Sequence, residues 1–312
     1  MVAALLISYL LRRFAALIAL LVGISVLVFA MVRLIPGDPA MTILGQASAD
    51  PASVARLRQQ LGLDQPLTSQ YLTWLTGALR GDFGYSYTQQ RPVSSLVWAN
   101  LPSTLVLTLA ALVLTIVLGL LLGVLAALRQ GRVIDTVVMG AALTTMSLPS
   151  FWVGTMLLII FAVGLGWFDV VGGSGLSGLV LPSITLALGG VGFLARFVRS
   201  SVLDTSKQQF VTTARSKGLA WRRVVGSHII RNALLPVLTV IGLQLGNLLS
   251  GTVIVETVFS RPGIGRLLID AIQQKDYLTV QAVVLLIAAI YAIVNTLVDL
   301  LYPLLDPRVA AR

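Results

Sequence analysis

Few residues in this chain of 312 have the chemistry of catalysis. Cysteine is absent, so there is no disulfide, no thiolate nucleophile and no Cys-based metal site. The one histidine, His228, lies in a polar segment without an evident metal partner and reads as structural. No cluster of acids and no nucleophile paired with a base is present, so no catalytic and no metal-ligating residue is assigned. Gly173-Ser-Gly175-Leu-Ser-Gly178 formally matches G-x-G-x-x-G, but no strand precedes it and no βαβ unit surrounds it. The phosphate-binding pattern G-x-x-x-x-G-K-[ST] does not occur, and the chain shows no means of binding ATP itself.

What remains is charge and hydrogen-bonding capacity in unusual places. Ser206 to Pro236 is a basic, amphipathic stretch between strongly apolar segments. Ser206 with Gln209 three residues on has the form of a capping box, after which Phe210, Val211 and Ala214 give a small apolar face. Lys217-Gly218 has the form of a helix C-terminus, where the cation complements the dipole and glycine takes the left-handed conformation. A second helix is predicted from about Leu219, with Trp221, Val224, Val225, His228 and Ile229 on one side and Arg223, Ser227 and Arg231 on another, leading to Pro236. Such an excursion is where a membrane protein meets a soluble partner. The plainer alternative is a solvated loop that is basic only because it is cytoplasmic.

Polar groups also recur inside apolar segments. Thr104, Thr108, Ala111, Thr115 and Gly119 share one helical face, and Gly119-Leu-Leu-Leu-Gly123 matches the small-xxx-small packing pattern, so close packing and a lined pathway are both open readings. Gln244, Asn247 and Gly251 form a second face, beside a second packing pattern at Gly242 and Gly246. Amides facing lipid are costly, so this face is expected to look inward. Tyr291, Asn295 and Asp299 make a third stripe. Glu256, at the outer end of a span, is a candidate for attracting a cationic group; hydration or pairing with Arg261 or Arg266 are the alternatives.

The elements that carry these groups follow from composition. With 57% hydrophobic and 11% charged residues and a mean hydropathy of +0.93, the chain is a polytopic membrane protein. Its length allows about six helical spans of ~20 residues. Residues 1–13 are assigned as a cytoplasmic N-terminus, 14–32 as the first span, and 33–100 as an external region with short amphipathic helices. Asp50-Pro51 and Gly62 bracket one of these; Thr68 to Leu79, with Tyr71 and Trp74, is expected along the outer membrane surface. Spans follow at 101–128, 136–164 with a kink at Pro149, 179–199, 233–255 and 277–300. External loops at 165–178 and 256–276, a cytoplasmic loop at 200–232 and a cytoplasmic tail at 301–312, with Pro303 stopping the last helix, complete the assignment. Most of the 22 Lys and Arg then fall on the cytoplasmic side, as the positive-inside rule requires, and this accounts for the net charge of +10 without nucleic acid.

The stretch Thr212-Thr213-Ala214 with Gly218, closing at Leu235-Pro236, resembles the EAA loop of binding-protein-dependent ABC importer permeases. Pro36-Gly-Asp-Pro39, Gly81-Asp-Phe-Gly-Tyr-Ser86, His228 to Pro236 and Glu256 to Gly265 are similar to segments of the first membrane subunit of dipeptide and oligopeptide importers, in the same order. The resemblance implies an all-α permease fold of six transmembrane helices in the bacterial inner membrane, with both termini in the cytoplasm. It implies an ATP-driven importer of short peptides, or alternatively of nickel or another small solute. It also implies partners: a second, homologous permease subunit, two cytoplasmic ATPase subunits that hold the ATP and Mg, and an external substrate-binding protein. Membrane lipid is the surrounding solvent. No cofactor is expected on this chain and it is not an enzyme.

The coupling role falls by resemblance on about Gln209 to Val225, with Phe210, Thr213, Ala214, Arg215, Lys217, Gly218, Arg222 and Arg223 as its contact residues. Thr212 replaces the Glu that names the motif, so contact rests on shape and on the basic residues. Thr108, Thr115, Gln244, Asn247, Glu256, Tyr291 and Asn295 are the candidates for the translocation path.

Overall fold

The computed structural model describes residues 2–34, 41, 50–60, 62–169, 175 and 177–305. Pro36 to Pro39 and most of the glycine-rich turn after Trp167 lie outside them. In lipid every backbone polar group must be satisfied within its own segment, and the fold is accordingly helical. Among the described residues five helices are long and apolar enough to cross a membrane, or six if one sharply bent pair is a single span.

Contacts divide the chain into two compact units, one built mainly on Thr104–Arg261 and one on Tyr9–Ser103 with Pro262–Ile293. The second unit opens with α1 (Val2–Leu34), whose apolar part, Arg12–Met31, is long enough to span. Helices α2 (Pro51–Gln60) and α3 (Leu67–Leu79) follow, and Gly62 and Gly81 take left-handed φ values of 63° and 79° where each turn closes. On α3 the Tyr71 hydroxyl lies 2.8 Å from Ser25 Oγ, and Tyr71 and Trp74 both stack on Phe29 of α1.

A short antiparallel hairpin, β1 (Tyr85–Ser86) with β2 (Arg91–Pro92), then leads into α4 (Val93–Leu128). Ser86 Oγ and Thr279 Oγ1 both donate to the buried carboxylate of Asp276, the residue preceding α11 (Tyr277–Leu305). The sequence assigns 256–276 to a loop; instead Ile264–Gln273 is a helix, α10, whose Ile264 and Leu267 pack with Val93, Val97 and Val283.

In the first unit α5 (Val133–Ser147) and α6 (Ser150–Gly164, π-helical from Leu158) replace the single kinked span expected at 136–164: the two are bent by 105°. Leu148 is extended, as a residue before proline tends to be, so the helix breaks at Pro149 rather than bending there. Helix α7 (Ser177–Ser206) runs past its expected end at 199. A short helix α8 (Gln209–Ser216) follows, and then α9 (Trp221–Val258), 38 residues including a π-helical stretch over Val224–Ile230.

Three expectations fail in the same way. Residues 233–255 were assigned as a separate span, but α9 runs unbroken from Trp221 through Pro236. The helix expected at 101–128 begins at Val93 and passes through Pro102, and α11 continues past Pro303 to Leu305. In a lipid-embedded bundle, local adjustments and neighbouring helices re-satisfy the groups a proline frees, so prolines are tolerated where a soluble helix would stop. At 1.5 Å per residue α9 is about 57 Å long, well beyond a hydrocarbon core of about 30 Å, so much of it projects from the membrane.

Candidate functional site

The residues around Gly218 form one compact feature. Ser206 does not cap α8: it is the last residue of α7 and its hydroxyl donates to Leu203 O at 2.7 Å. The capping box read from the sequence is therefore absent, and the extended residue preceding α8 is Gln208. The other end of α8 is closed by backbone geometry. Leu219 N–H donates to Ala214 O at 3.3 Å and Gly218 N–H to Arg215 O at 2.9 Å, the paired bonds of a Schellman motif. This closure places Gly218 at φ +77°, while a Cβ there would meet nothing within 4 Å. The glycine is thus demanded by its backbone conformation and not by crowding.

Which face of α8 points where follows from burial. Val211 and Ala214 are buried in a cluster with Val198, Val202, Val224 and Ile229, and Phe210 and Leu219 pack against its edge. Ala214 therefore seats the helix on this chain's own core and does not present its methyl for docking. Thr212, Thr213, Arg215, Lys217, Arg222 and Arg223 are exposed. The Arg215 guanidinium lies 5.3 Å from the ring centre of Trp221, bridging the turn at Gly218 by a cation–π contact. The exposed surface is consequently a basic rim around a fixed turn, held from below by apolar packing.

The polar groups in the membrane sort into two kinds. Thr104, Thr108 and Thr115 are buried, and each hydroxyl is used within the unit: Thr108 bonds Thr104 O at 2.8 Å, and Thr104 bonds Glu256 Oε1 at 2.6 Å. Glu256 is 0% exposed, which rules out the hydrated carboxylate considered from sequence. Its charge acts on Arg261 in the following turn: burial pulls the Arg261 guanidinium below its usual range, and Glu256 opposes that. Arg261 also donates to Gly178 O at 3.0 Å. Gln244 is buried, donating to Gly190 O at 3.3 Å and accepting from Asn247 at 3.1 Å. Asn247 is exposed, as is Tyr291, while Asn295 is half-buried. Among the described residues no group of three or more His, Asp or Glu side chains is placed to hold a metal ion.

Two close helix contacts explain the small residues of α4. A Cβ on Gly119 would lie 2.8 Å from Leu194, and one on Gly123 would lie 2.6 Å from Ala195 O, so α4 and α7 approach closely at both ends of the small-xxx-small pattern. Sequence reasoning missed the ion pair of Asp135 with Arg199, bidentate at 2.6 and 2.7 Å. Asp135 lies just before the expected start of one span and Arg199 is the last residue of another, so the sequence alone does not pair them.

Comparison with known proteins decides what kind of molecule carries this feature. A family described as "Binding-protein-dependent transport system inner membrane component" matches residues 119–311, and its N-terminal companion matches residues 6–108. The chain belongs to this family. It is 42% identical over 302 residues to the glutathione transport system permease protein GsiC of Salmonella typhi, with 97% of this chain and 98% of that one covered. It is 41% identical over 330 residues to the di/tripeptide transport system permease protein DppB of Pseudomonas aeruginosa, with the same coverage. Among solved structures, the crystal structure of an amino acid ABC transporter with histidines aligns with a TM-score of 0.52 at 22% identity, covering 69% of this chain and 94% of that chain; it shows the shared fold alone. This is a multi-pass permease subunit of an ABC importer, a transport component and not an enzyme, and it works with partner subunits.

Proposed function

We propose that this permease forms half of a translocation pathway for short peptides, pairs with a second, homologous permease subunit, and is driven by two ATPase subunits that bind ATP and Mg and dock on α8. An external binding protein delivers the substrate. The substrate class is supported by the di/tripeptide and glutathione systems to which the two named relatives belong. Both termini and α8 face the cytoplasm in this reading, in keeping with the basic residues of the 200–232 loop.

The observation that carries the reading is α8 itself: a short helix seated on its own subunit through Val211 and Ala214, closed at Gly218, with a basic rim turned outward. Lacking the acid that names its motif, it engages the ATPase by shape and by Arg215, Lys217, Arg222 and Arg223. In α9 the exposed residues Leu243, Asn247, Ser250, Ile254 and Thr257 recur every three or four positions. An exposed amide is costly against lipid, so this stripe, rather than the buried threonines of α4, faces the path or the second subunit.

The test is Gly218→Val in the reconstituted importer. A β-branched residue at φ +77° costs roughly 1–2 kcal/mol or more and displaces the turn. Uptake of labelled dipeptide should be lost while ATP hydrolysis persists. ATP-driven uptake at the unaltered rate would count against docking on α8.

A further inference from the structure

We propose that Asp135 and Arg199 are a positioning pair that makes α5 move as one body with α7, so that displacement of α8 by the ATPase reaches the membrane-embedded half of the subunit. The proposal rests on the function argued above and adds to it the route by which movement leaves the docking surface.

The two helices pack along their length, Arg196 against Met146 included, and two of their closest contacts stand in matching register. Arg199 Nε and its neighbouring guanidinium nitrogen donate to the two carboxylate oxygens of Asp135 at 2.6 and 2.7 Å. Seven residues along each helix, in opposite chain directions, Gly192 of α7 lies against Ala142 of α5, where a Cβ would come within 2.6 Å of the Ala142 carbonyl oxygen. Two helical turns, about 10 Å, separate these contacts. An antiparallel pair clamped at two such points resists rotation and sliding in a way that one contact does not.

The ionic clamp is built to be stiff. Asp135 is 5% exposed, and its Oδ2 also accepts Gly131 N–H at 3.0 Å, so the carboxylate is fixed from both the turn and the partner helix. A planar guanidinium forked onto a carboxylate fixes direction as well as distance, which a lysine would not do. Arg199 stands two turns before α7 ends at Ser206. Close by, Ser201 Oγ donates to Ala233 O at 2.8 Å, tying this end of α7 to α9. Val198 and Val202, flanking Arg199, belong to the cluster that seats α8. The pair is therefore the ionic link, beside the apolar packing, between the seat of α8 and α5, the first half of the pair bent by 105°.

The experiment uses the complete importer in proteoliposomes. Asp135→Asn and Arg199→Gln should hydrolyse ATP at close to the unaltered rate while uptake per ATP falls roughly tenfold, a typical coupling between sites. The exchange of both residues, Asp135→Arg with Arg199→Asp, should restore part of it. Unchanged uptake per ATP in the single variants, or a fall in both rates by the same factor, would overturn the proposal; the latter is what a purely structural contact gives. Because the chain has no cysteine, spin labels can be placed on the exposed positions Val137 and Ser200. Their separation should stay constant between resting and vanadate-trapped states with the pair intact and should change on trapping when Asp135→Asn is added. A separation that changes with the pair intact would also overturn it, even if the single variants fail to assemble. Absence of ATP-driven uptake by the unaltered complex would instead reject the underlying function.

Discussion

The close approach of α4 to α7 can be tested by adding a single carbon. Gly123→Ala places a Cβ 2.6 Å from Ala195 O and 2.7 Å from Val198 Cβ, and one of these neighbours is backbone that cannot rotate aside. Overpacking of this kind costs about 1–3 kcal/mol. Replacing glycine by alanine in a helix is otherwise favourable by about 0.5–1 kcal/mol. At Gly140 of α5 and Gly189 of α7 a Cβ would meet nothing within 4 Å, so Gly140→Ala and Gly189→Ala report that favourable part alone. The favourable part is common to both, so the difference between Gly123→Ala and these controls is the overpacking cost alone, about 1–3 kcal/mol. At roughly 2 °C per kcal/mol for a chain of this size, melting should differ by roughly 2–6 °C. The assay is thermal unfolding of the purified, detergent-solubilised protein followed by fluorescence-detected size exclusion. If Gly123→Ala melts with the controls or above them, α4 and α7 are not packed as described, and the explanation of the small-xxx-small pattern fails with them.

Two further outcomes separate the polar groups of the membrane segments. Thr104→Val removes a hydrogen bond to the buried Glu256 carboxylate and should destabilise by roughly 1.5–3 kcal/mol, whereas Glu256→Gln keeps an acceptor for Thr104 and should cost less; denaturant unfolding of the two variants measures the order, and the reverse order would refute the assigned bond. Asn247→Leu, on the exposed stripe of α9, removes the hydrogen bond to the buried Gln244 and should cost about 1–3 kcal/mol; it should also alter the KM for peptide uptake, and an unaltered KM would remove Asn247 from the path.

Local rules in the sequence foretell what is decided locally. Pro51, Gly62, Gly81 and Gly218 punctuate helices where read, because a proline at a helix start or a left-handed glycine at its end depends on a few adjacent residues. The stripe of Thr104, Thr108, Ala111, Thr115 and Gly119 was also legible as one face. Whether that face met water or another helix was not, since the period of 3.6 residues fixes direction relative to the helix and says nothing of the neighbour. Pro303 misled, since a helix read as stopping there runs on to Leu305, and a lipid-embedded helix treats a freed carbonyl differently from a soluble one. The ion pair of Asp135 and Arg199 joins residues 64 positions apart, and no local rule reaches that far.

The continuity of α9 changes what a displacement of α8 can do. With a break at Pro236, motion of the 200–232 loop would have to be handed across a joint before reaching the membrane. One helix from Trp221 to Val258 instead places the turn at Gly218 and the buried Glu256 near opposite ends of a single lever. A tilt at the first end therefore shifts the Asn247 stripe and the Thr104 contact together. The π-helical stretch over Val224–Ile230 is the one place where that lever departs from regular winding, and it lies directly beside the seat of α8, where Val224, Val225 and Ile229 are buried. Stiffness along most of α9, with an irregular turn confined to the end beside α8, is the arrangement in which a small movement at that end becomes a larger one at the far end.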